Sequence, residues 1–127
     1  MNQENLKPSN LMVGDYLFGQ PNNRIVRVIE LKEDNDIVCD KRCYDLEPVP
    51  ITPEILEKNG FCKPSPSCIF ISDGILCRVD FNESGCEKIL IMEMESMNVS
   101  FESYKLKYLH QLQQAMRLCG IKKEIKL

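Results

Sequence analysis

The feature that most constrains the fold is residues 75–81, where apolar side chains occupy every second position. This alternation is typical of a β-strand with one buried face. Asp73-Gly74 precedes the segment and is a strong hairpin signal, and a second turn is predicted at residues 82–85. With apolar runs at 68–71 and 89–95 on either side, the pattern predicts a three-strand antiparallel meander.

The N-terminal third of the chain also favours short strands. Residues 24–31 are rich in β-branched side chains, and residues 11–18 form an apolar run interrupted by Gly14-Asp15. Residues 37–39 and 43–46 are predicted to form a hairpin around 40–42. Short strands closed by tight turns predict a small bent antiparallel sheet, an SH3-like half-barrel.

Two helices are predicted. The first spans about residues 53–59, because Thr52 is a good N-cap, Pro53 suits the first helical position and Gly60 is a good terminator. The second spans about residues 104–119, where Leu109, Leu112 and Met116 form one apolar stripe. Residues 121–127 are expected to form a short tail strand at a sheet edge.

We therefore expect an α+β fold in a single domain, residues 1–127. It would contain a loose arm (1–10), a barrel-like half (11–50), and a second part (51–127) with the short helix, the meander and the C-terminal amphipathic helix.

Composition excludes several classes of protein. No segment approaches 18 uninterrupted apolar residues, which argues against a membrane helix. The polar N-terminal segment lacks the apolar stretch of a secretory signal, so a cytoplasmic location is expected. The net charge of −3 argues mildly against nucleic-acid binding, which generally requires an excess of cations.

The seven cysteines are interpreted as reduced thiols, most of them filling core positions. None of their spacings is C-x2-C, so a metal site is not expected, and no cofactor motif is present. Disulfide or redox chemistry remains an alternative.

The candidate binding residues lie on the C-terminal helix. His110 is expected on or near the solvent side, where it would form a polar face with Gln113, Gln114 and Arg117. Residues Met92, Met94 and Met97 suggest an adaptable apolar surface, although their alternation favours core positions.

Residues 46–61 and 108–113, with the opening Asn10-Leu11-Met12-Val13-Gly14-Asp15-Tyr16, resemble an uncharacterised protein family of gut Bacteroidetes, often associated with prophages or other mobile elements. This resemblance implies a cytoplasmic accessory protein, and it carries over no catalytic residue.

Three functions remain open. The preferred one is a non-enzymatic binding module with a protein partner, because no catalytic set is recognisable; its surface would combine the bent N-terminal sheet with the helix face around His110. The second is a nucleic-acid-associated small β-barrel in which Arg24, Arg27, Lys41 and Arg42 contact phosphates. The third is an enzyme with a cysteine nucleophile, Cys39 or Cys119, paired with His110.

Overall fold

The computed structural model describes residues 10–34, 36–43, 45–62 and 67–127. Of the arm expected at 1–10, all but Asn10 lies outside these residues. The described residues form an α+β fold with two four-stranded antiparallel sheets and two helices. They divide into two compact units, one ending at Val49 and the other spanning Pro50–Lys126, with Leu127 assigned to the first.

The first unit is a curled four-stranded half-barrel, as predicted. Its strands are β1 (Tyr16–Gln20), β2 (Arg24–Leu31), β3 (Ile37–Cys39) and β4 (Asp45–Pro48), in the order β3-β2-β1-β4. The core of this unit contains Leu17, Val26 and Val28 from the inner face of the sheet, together with Leu11, which precedes β1. Each of them is at most 4% exposed.

The predicted hairpin between residues 37–39 and 43–46 is wrong. β3 pairs with β2, whereas β4 crosses to β1 and places Leu46 opposite Gly19. The connection after β3 is instead anchored to β2, because Asp40 accepts a hydrogen bond from the Arg27 amide at 2.9 Å and donates its own amide to the Arg27 carbonyl. Tyr44, part of the predicted hairpin, lies outside the described residues.

The second unit contains β5 (Ser67–Ser72), β6 (Ile75–Asn82), β7 (Gly85–Glu93) and β8 (Val99–Ser103), paired in sequence order. The three predicted meander strands are present as β5, β6 and β7, and the sheet has β8 as a fourth. The predicted alternation is confirmed, since Cys77 and Val79 are fully buried while Arg78 lies on the other face.

Helix α1 (Pro53–Lys58) has the predicted cap, with the Ile55 amide donating to Thr52 Oγ1 at 3.3 Å. Helix α2 (Leu109–Leu118) begins later than the predicted residue 104. The reason is that Gln111 Oε1 accepts hydrogen bonds from the amides of Lys107 and Tyr108, each at 3.1 Å, which caps the helix at Tyr108. Neither helix has the length and apolar composition needed to cross a lipid bilayer.

The tail after α2 is held by a side chain and does not form the expected strand. Asn59 Oδ1 accepts from the Lys126 amide at 2.8 Å, and Asn59 Nδ2 donates to the Lys126 carbonyl at 3.0 Å. Ile121 and Ile125 in this tail are buried. An amide side chain therefore supplies the pairing that a neighbouring strand was expected to supply.

Candidate functional site

A cleft of about 340 Å³ lies at one end of the half-barrel, between the β1–β2 turn and the connection from β3 to β4. The described residues that line it are Gly19, Gln20, Pro21, Asn22, Arg24, Arg42 and Cys43. Its volume is at the small end of the range for ligand pockets. The cleft is thus large enough for a small ionic group together with part of its carrier.

Gly19 makes this arrangement possible because it lets the β3–β4 connection approach the sheet closely. A Cβ atom at Gly19 would lie 2.9 Å from Cys43 Cβ and 3.0 Å from Val26 Cγ1. Such distances are closer than carbon atoms normally approach. The absence of a side chain here allows Cys43 to pack against β1, and Arg42 is thereby brought to the cleft.

Two arginines, Arg24 and Arg42, line the cleft. Arg24 stands opposite Gly19 in the β1–β2 ladder, and its Nη2 donates to the Arg42 carbonyl at 2.8 Å. This bond fixes the Arg24 head group and the backbone of the connection to each other. A guanidinium has five N–H donors, so most donors of Arg24 stay available after this contact.

A third cation lies beside them. Lys41 Nζ is 3.5 Å from the Ile25 carbonyl oxygen, on the same connection as Arg42. Among the described residues, the carboxylate ion pairs are made by other cations, and none includes Arg24, Lys41 or Arg42. In a chain with 19 acidic residues and a net charge of −3, three cations thus lie on neighbouring segments here, and no described carboxylate forms an ion pair with them.

Gln20, which lines the cleft, binds a carboxylate outside it. Gln20 Nε2 donates to Asn23 Oδ1 at 2.7 Å and to Glu47 Oε1 at 2.9 Å. Glu47 does not line the cleft, and no carboxylate is among the described residues that do. Among the described residues that line the cleft, the charged ones are therefore two cations, Arg24 and Arg42.

Of the four cations predicted to contact phosphates, the structure brings three together. Arg27 lies apart from them, with its guanidinium carbon 5.6 Å from the centre of the Tyr16 ring. It lines neither the cleft nor the adjoining depression at residues 37–43. Arg27 is for this reason a matched cation on the same strand as Arg24 that is not part of the site.

The predicted face of the C-terminal helix is largely buried. His110 and Gln113 are each 3% exposed, which shows that the expectation of a solvent-side His110 is wrong. Gln114 is half-buried, and Arg117 Nη2 forms an ion pair with Glu124 Oε1 at 3.1 Å. The interpretation of these four residues as binding residues stays a prediction.

The two thiols predicted as nucleophiles, Cys39 and Cys119, are poorly suited to that role. Burial raises the pKa of Cys77 to about 12, and its interaction with Cys119 adds to the shift. Burial is likewise the main cause that raises the pKa of Cys39 to about 11, with Cys43 and Asp40 adding to it. Burial also raises the pKa of Cys119. Since the thiolate is the nucleophilic form, neither Cys39 nor Cys119 is activated at neutral pH.

The proposed partner of Cys119 is also remote from it. His110 lies in the first turn of α2 and Cys119 is its C-cap residue. At about 1.5 Å of rise per residue, nine residues separate the two along the axis by roughly 13 Å. This separation excludes direct proton transfer between the Cys119 thiol and the His110 ring.

In the part of the chain that the structure describes, no group of three His, Cys, Asp or Glu side chains is placed to hold a metal ion. Comparison with models of protein families, with curated proteins and with solved structures finds no match. The geometry of the cleft is therefore the main basis for assigning a function.

Proposed function

We propose that the protein is a non-enzymatic binding module that holds the phosphate group of a ligand in the cleft lined by Arg24 and Arg42. The observation that carries this proposal is the pair of arginines, Arg24 and Arg42, in the lining of a cleft that no described carboxylate lines. Guanidinium donors match the oxygens of a phosphate in pairs, and such charge-assisted hydrogen bonds are stronger than neutral ones.

Two kinds of ligand carry such a phosphate group, namely a small phosphorylated molecule and the backbone of a nucleic acid. The small volume of the cleft and its position at the end of the half-barrel favour a terminal phosphate on a small molecule. A nucleic-acid backbone would instead need a line of cations, and Arg27 stands apart from the other three.

Calorimetric titration with three probes separates these sources: inorganic phosphate, adenosine monophosphate and a single-stranded oligonucleotide without a terminal phosphate. We expect binding of the monophosphate, weaker binding of inorganic phosphate, and no binding of the oligonucleotide at low salt. Binding of the oligonucleotide alone would indicate that the ligand is a nucleic acid. In that case the logarithm of the binding constant should fall with the logarithm of the salt concentration, with a slope of about −0.7 per phosphate contacted.

Substitutions test whether the cleft is the site. Arg42→Gln removes one guanidinium and should weaken binding at least about tenfold, because a charge-assisted hydrogen bond contributes roughly 1.5–3 kcal/mol. Arg27→Gln, the matched control, should leave the affinity unchanged. Equal affinities of wild type and Arg42→Gln would rule the cleft out.

A third variant tests the sign of the electrostatic effect. Glu47→Gln keeps an oxygen that can accept from Gln20 and removes a negative charge next to the cleft. The affinity for monophosphate should therefore rise. A fall in affinity with an unchanged fold would contradict the proposal that the ligand is an anion.

The biological setting is also a proposal. The seven free thiols and the resemblance to a family found in mobile elements support a cytoplasmic location and an accessory role in a bacterial prophage or mobile element. Measuring the distribution of a tagged chain between cell fractions tests the location, and recovery outside the cytoplasm would contradict it.

A further inference from the structure

The second sheet has an edge whose backbone is available for pairing. β8 pairs with β7 on one side, and its other side makes no backbone hydrogen bond with any described residue. The opposite edge of the sheet is different, since the amide and carbonyl of Ile69 in β5 exchange hydrogen bonds with Cys62 at 2.7 Å each. An unpaired edge strand is a template for another strand.

An apolar row on the outer face of this sheet leads to the same edge. Directly paired residues place four apolar side chains side by side across the four strands: Ile71, Leu76, Met92 and Val99. Val99, at the edge, is 54% exposed. The row therefore ends in an exposed apolar side chain beside the unpaired backbone.

Further exposed apolar residues surround this edge. In the hairpin tip before β8, Met94 is 41% and Met97 is 69% exposed, and Tyr104 after β8 is 64% exposed. The interpretation of these methionines as core residues is therefore wrong for Met94 and Met97, and the alternative of an adaptable apolar surface fits them. A concentration of exposed apolar side chains at one place indicates an interaction surface.

The charges at the two ends of β8 have opposite sign. Glu95, in the hairpin tip before the strand, is exposed, and Lys105 and Lys107, after the strand, are exposed too. Among the described residues these three form no ion pair, whereas Lys88 of β7 pairs with Glu102 of β8 at 3.0 Å. The edge consequently has an acidic beginning and a basic end.

We infer that β8 pairs antiparallel with β8 of a second copy of this chain, and that the protein self-associates through this edge. A twofold axis near Phe101 places the Glu95 end of each copy beside the Lys107 end of the other, so that opposite charges meet twice. In this register Val99 of each copy lies opposite Ser103 of the other copy, at the new strand pair. A surface that is complementary to itself in this way is characteristic of an isologous dimer.

Charge exchange tests this pairing by analytical ultracentrifugation of the full chain over a range of concentrations. Glu95→Lys and Lys107→Glu, each at an exposed site, should each weaken dimerisation at least about fivefold at low salt. The double variant Glu95→Lys/Lys107→Glu should restore it. Glu83→Lys, in the exposed turn between β6 and β7, is the control and should dimerise like the wild type.

A second variant tests the edge itself. Val99→Lys puts a charge on the edge strand and should abolish dimerisation while the circular dichroism spectrum stays unchanged. A wild-type chain that stays monomeric throughout would overturn the inference. A dimer that survives Val99→Lys, or a double exchange that stays as weak as the single ones, would show that another surface is used.

Discussion

Asn59 joins helix α1 to the C-terminal tail, and replacing it by alanine should destabilise the protein measurably. The side chain is 5% exposed and makes three hydrogen bonds. Two of them go to the amide and carbonyl of Lys126, and the third goes from Nδ2 to the Ile55 carbonyl at 2.8 Å. No apolar side chain can replace these contacts.

The magnitude follows from the number of groups that lose a partner. A net contribution of about 1 kcal/mol per hydrogen bond gives a loss of about 3 kcal/mol for Asn59→Ala if the tail stays in place. If the tail detaches, its backbone groups regain water, but Ile125, which is 1% exposed, loses its burial at a comparable cost of about 1.5–3 kcal/mol. Both routes predict a loss of roughly 2–4 kcal/mol.

Urea denaturation monitored by circular dichroism gives the free energy of unfolding and its dependence on urea. Asn82→Ala is the control, because Asn82 is exposed and its side chain accepts one turn bond, from the Ser84 amide. It should cost no more than about 1 kcal/mol.

A double-mutant cycle isolates the contribution of the tail. In a chain lacking residues 125–127, Asn59→Ala should cost only about 1 kcal/mol, since the bond to Ile55 is then the main one left to lose. An Asn59→Ala variant within about 0.5 kcal/mol of wild type, or an equal cost in the shortened chain, would refute the reasoning.

Three further predictions follow from the packing and the thiols. Gly19→Ala should destabilise the first unit by about 1–3 kcal/mol in urea denaturation, because the added methyl would overlap Cys43; an unchanged stability would contradict this close approach. In alkylation followed by mass spectrometry at about pH 7, the exposed Cys62 should react first. Burial raises the pKa values of Cys39 and Cys86 to about 11. These two thiols should therefore react roughly a hundredfold more slowly than an unperturbed exposed thiol. Equal rates would show that Cys39 and Cys86 are not buried. Finally, Cys77, with its pKa raised from 9.0 to about 12, should make stability fall between pH 9 and pH 12. The unfolded chain releases this proton first, so the slope is at most about 1.4 kcal/mol per pH unit; Cys77→Ala should show a smaller slope than wild type, and identical slopes would argue against the shift.

Local patterns predicted those elements whose structure depends on adjacent residues. The bounds of β2 and β3 agree with the prediction, and the Thr52 cap and the alternation at 75–81 are confirmed. The sequence pattern did not predict β8, which is an edge strand and pairs with one neighbouring strand only. In addition, a register shift between Ile91 and Met92 places Val99 and Phe101 out of simple alternation.

Non-local pairings account for the elements that were predicted incorrectly. The pairing of β4 with β1 depends on Gly19 accepting Cys43, two positions that are far apart in sequence. His110 was placed at the solvent side because a single stripe was assumed, whereas α2 also buries Gln113 and so has a wider buried arc.

The candidate site was predictable in part. Arg24, Lys41 and Arg42 were identified as possible phosphate contacts from their charge, but their convergence requires the β4 crossover. The exclusion of Arg27 depends on its position over Tyr16, which no linear spacing indicates. The sequence thus identifies the cations, and the topology selects three of them.

The binding of a phosphate group between Arg24 and Arg42 can be observed directly by nuclear magnetic resonance. Titration of the ¹⁵N-labelled protein with adenosine monophosphate should shift the side-chain Nε–Hε signals of Arg24 and Arg42 and the backbone amides of Gly19 and Asn22. The signals of Arg27 should stay in place. Shifts confined to other parts of the chain, or no shift at millimolar ligand, would contradict the assignment of this cleft as the binding site.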